Sequence, residues 1–311
     1  MRILFAGTPE VSANILDWLV KSGHDVVGVL TRTDSYVGRK KELTPSAVAL
    51  KADDLGLPVI KKNRIDDTVL ADIGQLNVEL AIVVAYGSIL KQSALDAVPN
   101  GWYNLHFSLL PRYRGAAPVQ RALISGDSET GVTMFKLDAG MDTGPVLSSL
   151  RTSIGFNENS GELLHRLGEL SKSLLSESLP QIYSGTFQLQ DQVGEATAAP
   201  KPTRDEARID FTKPAKSLEN LVRGMNPEPM AWCMANQEVL RVLSAFESSV
   251  VIARSIGSER TIGSIFTSEG KVFLVCGSGS LLELIEVQTS SKRAMHARDW
   301  FNGNRALERL N

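Results

Sequence analysis

The chain has 311 residues, 43% of them hydrophobic, and 33 Lys and Arg against 35 Asp and Glu give a formal net charge of −2. At roughly 100–200 residues per domain that length accommodates two cores, and the near-balanced charge excludes a protein that coats nucleic acid through a general positive field, although not a local basic patch. With only two cysteines, Cys233 and Cys276, there is no disulfide framework and no Cys-His zinc spacing, which points to a reducing cytoplasm. MRILFAG is too short for a signal peptide, and no later run approaches the ~18 apolar residues of a membrane span.

In chain order, RILFA reads as a buried strand, VSANILDWLVKSG as an amphipathic helix and DVVGVLT as the next strand. This is the rhythm of a parallel sheet with crossover helices. LPVIK, ELAIVVAYG and GWYNLHF continue it. The first strand-to-helix turn, FAGTPE, carries one glycine where a dinucleotide site would show GxGxxG. A nicotinamide or flavin cofactor is therefore not expected, and Gly7 serves a tight turn.

TGVTMFKLD and PVLSSLRTSI are strand candidates joined by AGMDTG, which predicts a hairpin at the sheet edge. From Ser160 onward Leu163, Leu164, Leu167, Leu170, Leu174 and Leu175 fall at helical spacing. Periodicity is lost over residues 188–204, where Pro, Ala and charge accumulate, so this segment is expected to be an exposed connection. Beyond it, a short helix around KSLENLVRG and short β-type runs separated by Gly and Ser suggest a small barrel. The expected organisation is a first domain over 1–187, a linker over 188–204 and a second domain over 205–311.

One stretch carries chemistry. If GWYNLHF is a strand, its period of two sends Asn104, His106 and Ser108 to one face and Tyr103, Leu105 and Phe107 to the other. Ligands of open α/β sheets bind at such strand ends. AGMDTG adds the carboxylate of Asp142, while Asp138 lies at the strand end, where it can cap the turn. An amide donor, an imidazole and a carboxylate suit a reaction in which a carbonyl oxygen gains charge while an amine loses a proton. By spacing alone the group is either such a catalytic set or a structural polar cluster. No GxSxG-like elbow supports a covalent acyl-enzyme.

NLHFSLLPRYRGAAPVQRAL followed by DAGMDTGPV resembles the signature of the 10-formyltetrahydrofolate-dependent formyltransferases. FAGTPE, LTPSAVAL, VVAYGSIL, EARIDF, NPEPMAW and KRAM extend the resemblance along nearly the whole chain, toward the branch of that family acting on charged initiator tRNA. The resemblance implies an α/β fold, with a Rossmann-like formyltransferase domain built on a mostly parallel sheet and an OB-like β-barrel after it. It implies that Asn104, His106 and Asp142 form the catalytic set. It also implies that Ser108, Leu109, Leu110 and Pro111, with Val84, Ala85, Tyr86 and Gly87, line the folate site.

The expected cosubstrate is 10-formyltetrahydrofolate and the expected acceptor is the α-amine of methionine on initiator tRNA, with no metal. Residues 32–46 read alone as a solvated polar loop. In the family this insertion reaches the acceptor end of the tRNA, which singles out Arg39, Lys40 and Lys41. Here the usual RPAGRGK pattern appears as SYVGRKK. The alternatives are a formyltransferase for glycinamide ribonucleotide or an amino sugar nucleotide, and a noncatalytic RNA-binding relative.

Overall fold

The computed structural model describes residues 1–38, 40–249, 261–290 and 292–311. The first strands and helices are β1 (Ile3–Gly7), α1 (Glu10–Lys21), β2 (Val26–Thr31), β3 (Ser35–Val37), β4 (Glu42–Thr44), α2 (Ala47–Asp54) and β5 (Val59–Lys61). There follow α3 (Asp67–Gln75), β6 (Leu80–Val84), α4 (Gln92–Asp96), β7 (Trp102–His106), α5 (Pro118–Ser125), β8 (Glu129–Lys136), β9 (Val146–Ser153) and α6 (Ser160–Ser184). The remainder comprises α7 (Ala215–Met225), β10 (Ala231–Ala235), β11 (Glu238–Glu247), β12 (Ile265–Ser268), β13 (Lys271–Val275), β14 (Leu281–Thr289), β15 (Met295–His296) and a last helix, α8 (Ala297–Asn302).

Two compact units share the chain. Met1–Pro118, Glu129–Ser153 and Leu164–Pro200 form the first; Val119–Ser128, Ile154–Leu163 and Lys201–Asn311 form the second.

The first unit is built on a 7-stranded sheet of order β5-β2-β1-β6-β7-β8-β9. β5, β2, β1, β6 and β7 run parallel, and the β8–β9 hairpin adds antiparallel strands at the edge. β1 and β6 are buried along their whole length, as strands covered on both faces must be, which is why they read as continuous apolar runs. Gly7 ends β1 where a Cβ would lie 2.7 Å from that of Ser12 and 2.9 Å from the Val84 carbonyl. The glycine therefore lets α1 begin close against the sheet, and the Ser12 hydroxyl donates to that same carbonyl at 2.6 Å. On α6, Leu163, Leu167, Leu174 and Leu175 are buried while Leu164 and Leu170 are half-buried.

The second unit carries an antiparallel sheet of order β10-β11-β14-β13-β12, with β15 paired to β14. α7 lays Leu218, Val222 and Met225 into its core beside Cys233, Leu240, Val242, Leu274 and Leu282, the i, i+4, i+7 stripe of an amphipathic helix. Both cysteines are free and buried, and burial pushes each thiol pKa up to about 12. They are packing residues, not nucleophiles. No helix among the described residues is long and apolar enough to cross a membrane.

Residues 188–200 are hydrogen-bonded into the first unit. Gln190 pairs with Val146, Ala198 bridges Arg114, and Ala199 is fully buried. The polarity of this segment hid its ladder, because these bonds are made by backbone groups that any sequence carries.

Candidate active site

β7 sets the site through its alternation. Tyr103 and Leu105 are buried on one side, and on the other Trp102 is anchored by its indole N–H, which donates to the Ala94 carbonyl at 2.8 Å. Asn104 and His106 share the face of Trp102. Asn104 is half-buried, and its side-chain amide makes no hydrogen bond with the described residues.

His106 is only 5% exposed. Its Nε2 lies 2.8 Å from the Tyr113 carbonyl. A carbonyl can only accept, so Nε2 carries the proton and, in the neutral ring, the Nδ1 lone pair is free. Nδ1 lies 3.7 Å from Oδ2 of Asp142, beyond hydrogen-bond length. Ring orientation therefore comes from Tyr113, while Asp142 faces the imidazole without a direct hydrogen bond. Burial lowers the imidazole pKa from its ordinary 6.5; the Asp142 carboxylate and the Tyr113 carbonyl oppose that without overcoming it. The resting arrangement thus has two acceptors, Nδ1 and the carboxylate, facing each other across a gap.

The Asp142 loop is short and tightly held. Asp138 Oδ1 accepts from the Gly140 N–H at 3.0 Å and the Thr143 hydroxyl at 2.7 Å, so Asp138 caps the turn. Asp142 adopts a left-handed φ of 54°, which Asp tolerates better than most residues. Its Oδ2 accepts the Gly115 N–H at 2.7 Å. Gly144 passes so near the Lys136 carbonyl that a side chain has no room.

The other predicted positions scatter. Ser108 is consumed by its own turn: its hydroxyl donates to the Arg112 carbonyl at 2.6 Å, and its carbonyl accepts from Thr133 at 2.7 Å. Leu109 and Leu110 are half-buried and Pro111 is buried. Val84 is buried, with its carbonyl bound to Ser12. Tyr86 turns into the core, where its hydroxyl donates to the Lys62 carbonyl at 2.7 Å, and burial raises its pKa to about 12. Ala85 and Gly87 are exposed, at φ of 48° and 82°. Lys40 and Lys41 are exposed in the turn of the β3–β4 hairpin, while Arg39 lies outside the described residues.

A cavity of about 440 Å³ opens beside β7, lined by residues that include Leu95, Val98, Trp102, Lys136, Leu137 and Ala139. Trp102 lies two residues before Asn104 on the same strand face, and Leu137 and Ala139 begin the loop that ends at Asp142. Its lining mixes apolar residues with Gln92, Asp96, Lys136 and Asp138 from separate parts of the chain, a combination that no local sequence pattern announces. Among the described residues no group of three or more His, Cys, Asp or Glu is placed to hold a metal ion.

In the second unit a row of polar side chains crosses the sheet. Arg208 bridges Trp232, Trp232 lies opposite Arg241, and Arg241 lies opposite Gln288. The Arg204 and Arg208 guanidinium groups sit 5.6 and 5.7 Å from the centre of the Trp232 ring. The Trp232 indole donates to the Arg204 carbonyl at 2.8 Å.

Residues 1–179 match the family model described as formyl transferase, and residues 201–305 match that of the formyl transferase C-terminal domain. A methionyl-tRNA formyltransferase of Paenarthrobacter aurescens (strain TC1) is 43% identical over 310 residues, covering 100% of this chain and 99% of that protein. The chain belongs to the methionyl-tRNA formyltransferase family.

Another family member, from Renibacterium salmoninarum, is 42% identical and covers 97% of this chain and 96% of its own. The fold is shared more widely than the methionyl-tRNA formyltransferases. WlaRD, a sugar 3N-formyl transferase solved with dTDP and 5-N-formyl-THF, superposes with a TM-score of 0.65 at 16% identity over 94% of this chain and 99% of that one. HypX from Aquifex aeolicus, in complex with tetrahydrofolic acid, gives a TM-score of 0.66 at 15% identity over 97% of this chain and 47% of that one.

Proposed function

We propose that this protein transfers the formyl group of 10-formyltetrahydrofolate to the α-amine of methionyl initiator tRNA, in the cytoplasm where translation begins, with Asn104, His106 and Asp142 as its catalytic set. The observation that carries this reading is the pair of facing acceptors, His106 Nδ1 and Asp142 Oδ2, 3.7 Å apart beside the uncommitted amide of Asn104. A donor N–H entering that gap satisfies both acceptors at once, and an attacking amine is such a donor.

The residues present fit the folate. The cavity of about 440 Å³ falls within the roughly 300–1,000 Å³ of small-molecule sites. It adjoins the start of the Asp142 loop, and its apolar wall of Leu95, Val98, Trp102 and Leu137 suits a flat heterocycle. Ser108, Leu109, Leu110, Pro111 and residues 84–87 are assigned to the same ligand, with backbone groups and the apolar Leu109 and Leu110 as the contacts. The bound cosubstrate supplies an activated formyl carbon.

The side chains then divide the work. The Asn104 amide donates to the formyl oxygen as it gains charge, and such preorganised donors lower a barrier most where water is excluded. His106 Nδ1, with Nε2–H already committed to Tyr113 and the ring therefore in the required tautomer, accepts the amine proton as the new C–N bond forms and gives it to N10 of the folate as the formyl C–N10 bond breaks. The Asp142 carboxylate, which faces the Nδ1 lone pair at rest, stabilises the imidazolium that forms.

Residues 205–311 are assigned to the tRNA. The Arg208, Trp232, Arg241 and Gln288 row offers one guanidinium over the Trp232 ring and another beside Gln288, suited to phosphate oxygens. The β3–β4 hairpin, with Lys40 and Lys41 and with Tyr36 73% exposed, is assigned with Arg39 to the acceptor end.

The test is a choice of acceptor. Protein given labelled 10-formyltetrahydrofolate with charged initiator tRNA, glycinamide ribonucleotide or an amino sugar nucleotide should label the tRNA. Labelling of another amine alone, or of none, refutes the reading.

A further inference from the structure

We propose that residues 190–199 act as a strap that sets both members of the His106–Asp142 pair, with Gln192 and Thr197 as its positioning residues. The inference rests on the reading of that pair given above.

Gln192 holds the Asp142 side. Its Nε2 donates to the carbonyls of Asp142, at 2.9 Å, and Gly144, at 2.8 Å. Its Oε1 accepts from Arg114 Nε at 3.1 Å and Nη2 at 2.7 Å. A guanidinium has donors only, so the amide oxygen must face Arg114 and the NH₂ must face the carbonyls. Both donors and both lone pairs of the amide are used. The amide thus spans the loop from Asp142 to Gly144.

Thr197 holds the His106 side. Its hydroxyl accepts the Tyr113 N–H at 2.8 Å, and the Tyr113 carbonyl is the group that orients the His106 ring. Tyr113 has a left-handed φ of 61°, a conformation that a bulky side chain keeps only when its surroundings enforce it. The strap backbone reinforces the same stretch: Arg114 N–H donates to the Thr197 carbonyl at 2.8 Å, and Ala199 N–H returns to the Arg114 carbonyl at 2.7 Å. Gly115, the next residue, donates to Asp142 Oδ2. At its other end Gln190 exchanges two backbone bonds with Val146, at 2.7 and 2.9 Å.

The strap therefore ties Tyr113–Gly115, which contacts both members of the pair, to the loop that carries Asp142. Its role is geometric, because neither Gln192 nor Thr197 touches the imidazole or the carboxylate itself. Proton transfer to Nδ1 from an amine seated between two groups 3.7 Å apart is sensitive to such geometry, since a misplacement of about 1 Å costs on the order of 10²-fold in rate.

The experiment pairs variants that separate positioning from packing. Gln192→Glu keeps an acceptor for Arg114 and loses donation to the carbonyls; Gln192→Leu loses both. Thr197→Ser keeps the hydroxyl that Thr197→Val removes. The expected result is a fall in kcat of roughly 10-fold to 100-fold in Gln192→Glu, Gln192→Leu and Thr197→Val, with KM for both substrates within about two-fold. Thr197→Ser is expected to restore most of the rate.

His106 is also followed by NMR titration of its imidazole, which needs no substrate. Because the Asp142 carboxylate raises the His106 pKa, freeing the loop in Gln192→Leu should move the midpoint to lower pH, toward that of Asp142→Asn. Wild-type kcat with an unmoved titration in folded variants overturns the proposal. So does a lowered melting temperature with kcat and titration intact, since the strap would then only pack. A moved titration in a protein that formylates none of the three amines upholds the strap and refutes the proposed reaction instead.

Discussion

Nδ1 of His106 and Oδ2 of Asp142 stand 3.7 Å apart with no proton of their own between them, while the opposite ring nitrogen donates to the Tyr113 carbonyl. On the proposed reading, the base and its counter-charge lie on one side of the entering amine and Asn104 is left to the oxygen. His106→Ala removes the acceptor and Asp142→Asn removes the charge that steadies the imidazolium. Each should lower kcat by roughly 10²-fold or more with smaller changes in KM, because the lost interactions are strongest in the transition state. Steady-state kinetics on folded variants decide it; near-normal turnover in either removes that residue from the set.

Asn104 offers a cleaner separation of function from stability. Its side chain is bound to nothing in the described structure, so Asn104→Asp, nearly isosteric, should leave the melting temperature close to wild type. It replaces a donor with a negative acceptor at the point where the oxygen gains charge, and kcat should fall by about 10²–10³-fold. An unaltered kcat would show that the oxyanion is held elsewhere.

The imidazole titration has a definite sign. Burial holds the folded pKa of His106 below 6.5, and burial also lowers that of His24. The unfolded chain therefore binds protons first as the pH falls. The stability that these neutral rings contribute is complete above about 6.5 and is lost as pH drops through the folded values. NMR midpoints below 6.5 for His106, and a steeper loss of stability in acid for wild type than for His106→Asn, are expected. A His106 midpoint above 6.5 contradicts the neutral resting state.

The guanidinium row predicts salt dependence. Arg208→Gln and Arg241→Gln should each weaken tRNA binding and reduce the slope of log affinity against log salt by about one unit, if each meets one phosphate. Trp232→Ala should weaken binding as well, since it removes the ring that steadies Arg204 and Arg208. Binding isotherms at several salt concentrations test this, and unchanged slopes in both Arg variants would move the tRNA contact away from this row. Folate-analogue affinity should stay the same in all three.

Filling the cavity beside β7 tests the assignment of the folate. Val98 is 2% exposed and lines its wall; Val98→Phe should raise the Kd for a folate analogue at least ten-fold while tRNA affinity holds. Overpacking costs about 1–3 kcal/mol of stability, so the melting temperature is measured alongside. Unchanged analogue affinity in the folded variant would place the pteridine outside this cavity.

What the chain determined locally was legible in one dimension. The period-two pattern of GWYNLHF put Asn104 and His106 on one face, because alternation of side chains is a property of any extended backbone. The single glycine of FAGTPE correctly argued for a close strand-to-helix turn, and the glycines of AGMDTG marked a loop with no room for side chains at Gly144. Leucine spacing announced α6 for a similar reason, since helical periodicity needs no distant partner.

Tertiary structure decided what depended on groups far apart along the chain. Tyr86 lies beside a strand end, and its ring is held in the core by a partner 24 residues away, the Lys62 carbonyl that takes its hydroxyl. Asp142 stands 3.7 Å from His106 while its carboxylate accepts the Gly115 N–H, and the Tyr113 carbonyl sets which imidazole nitrogen is free. Gln192 sits in a stretch without periodicity and is 50 residues from the loop carbonyl it holds and 78 from the guanidinium that orients it. A hydrogen bond depends on distance and direction in space, and neither is encoded in local spacing once the partners are separated by several strands and turns.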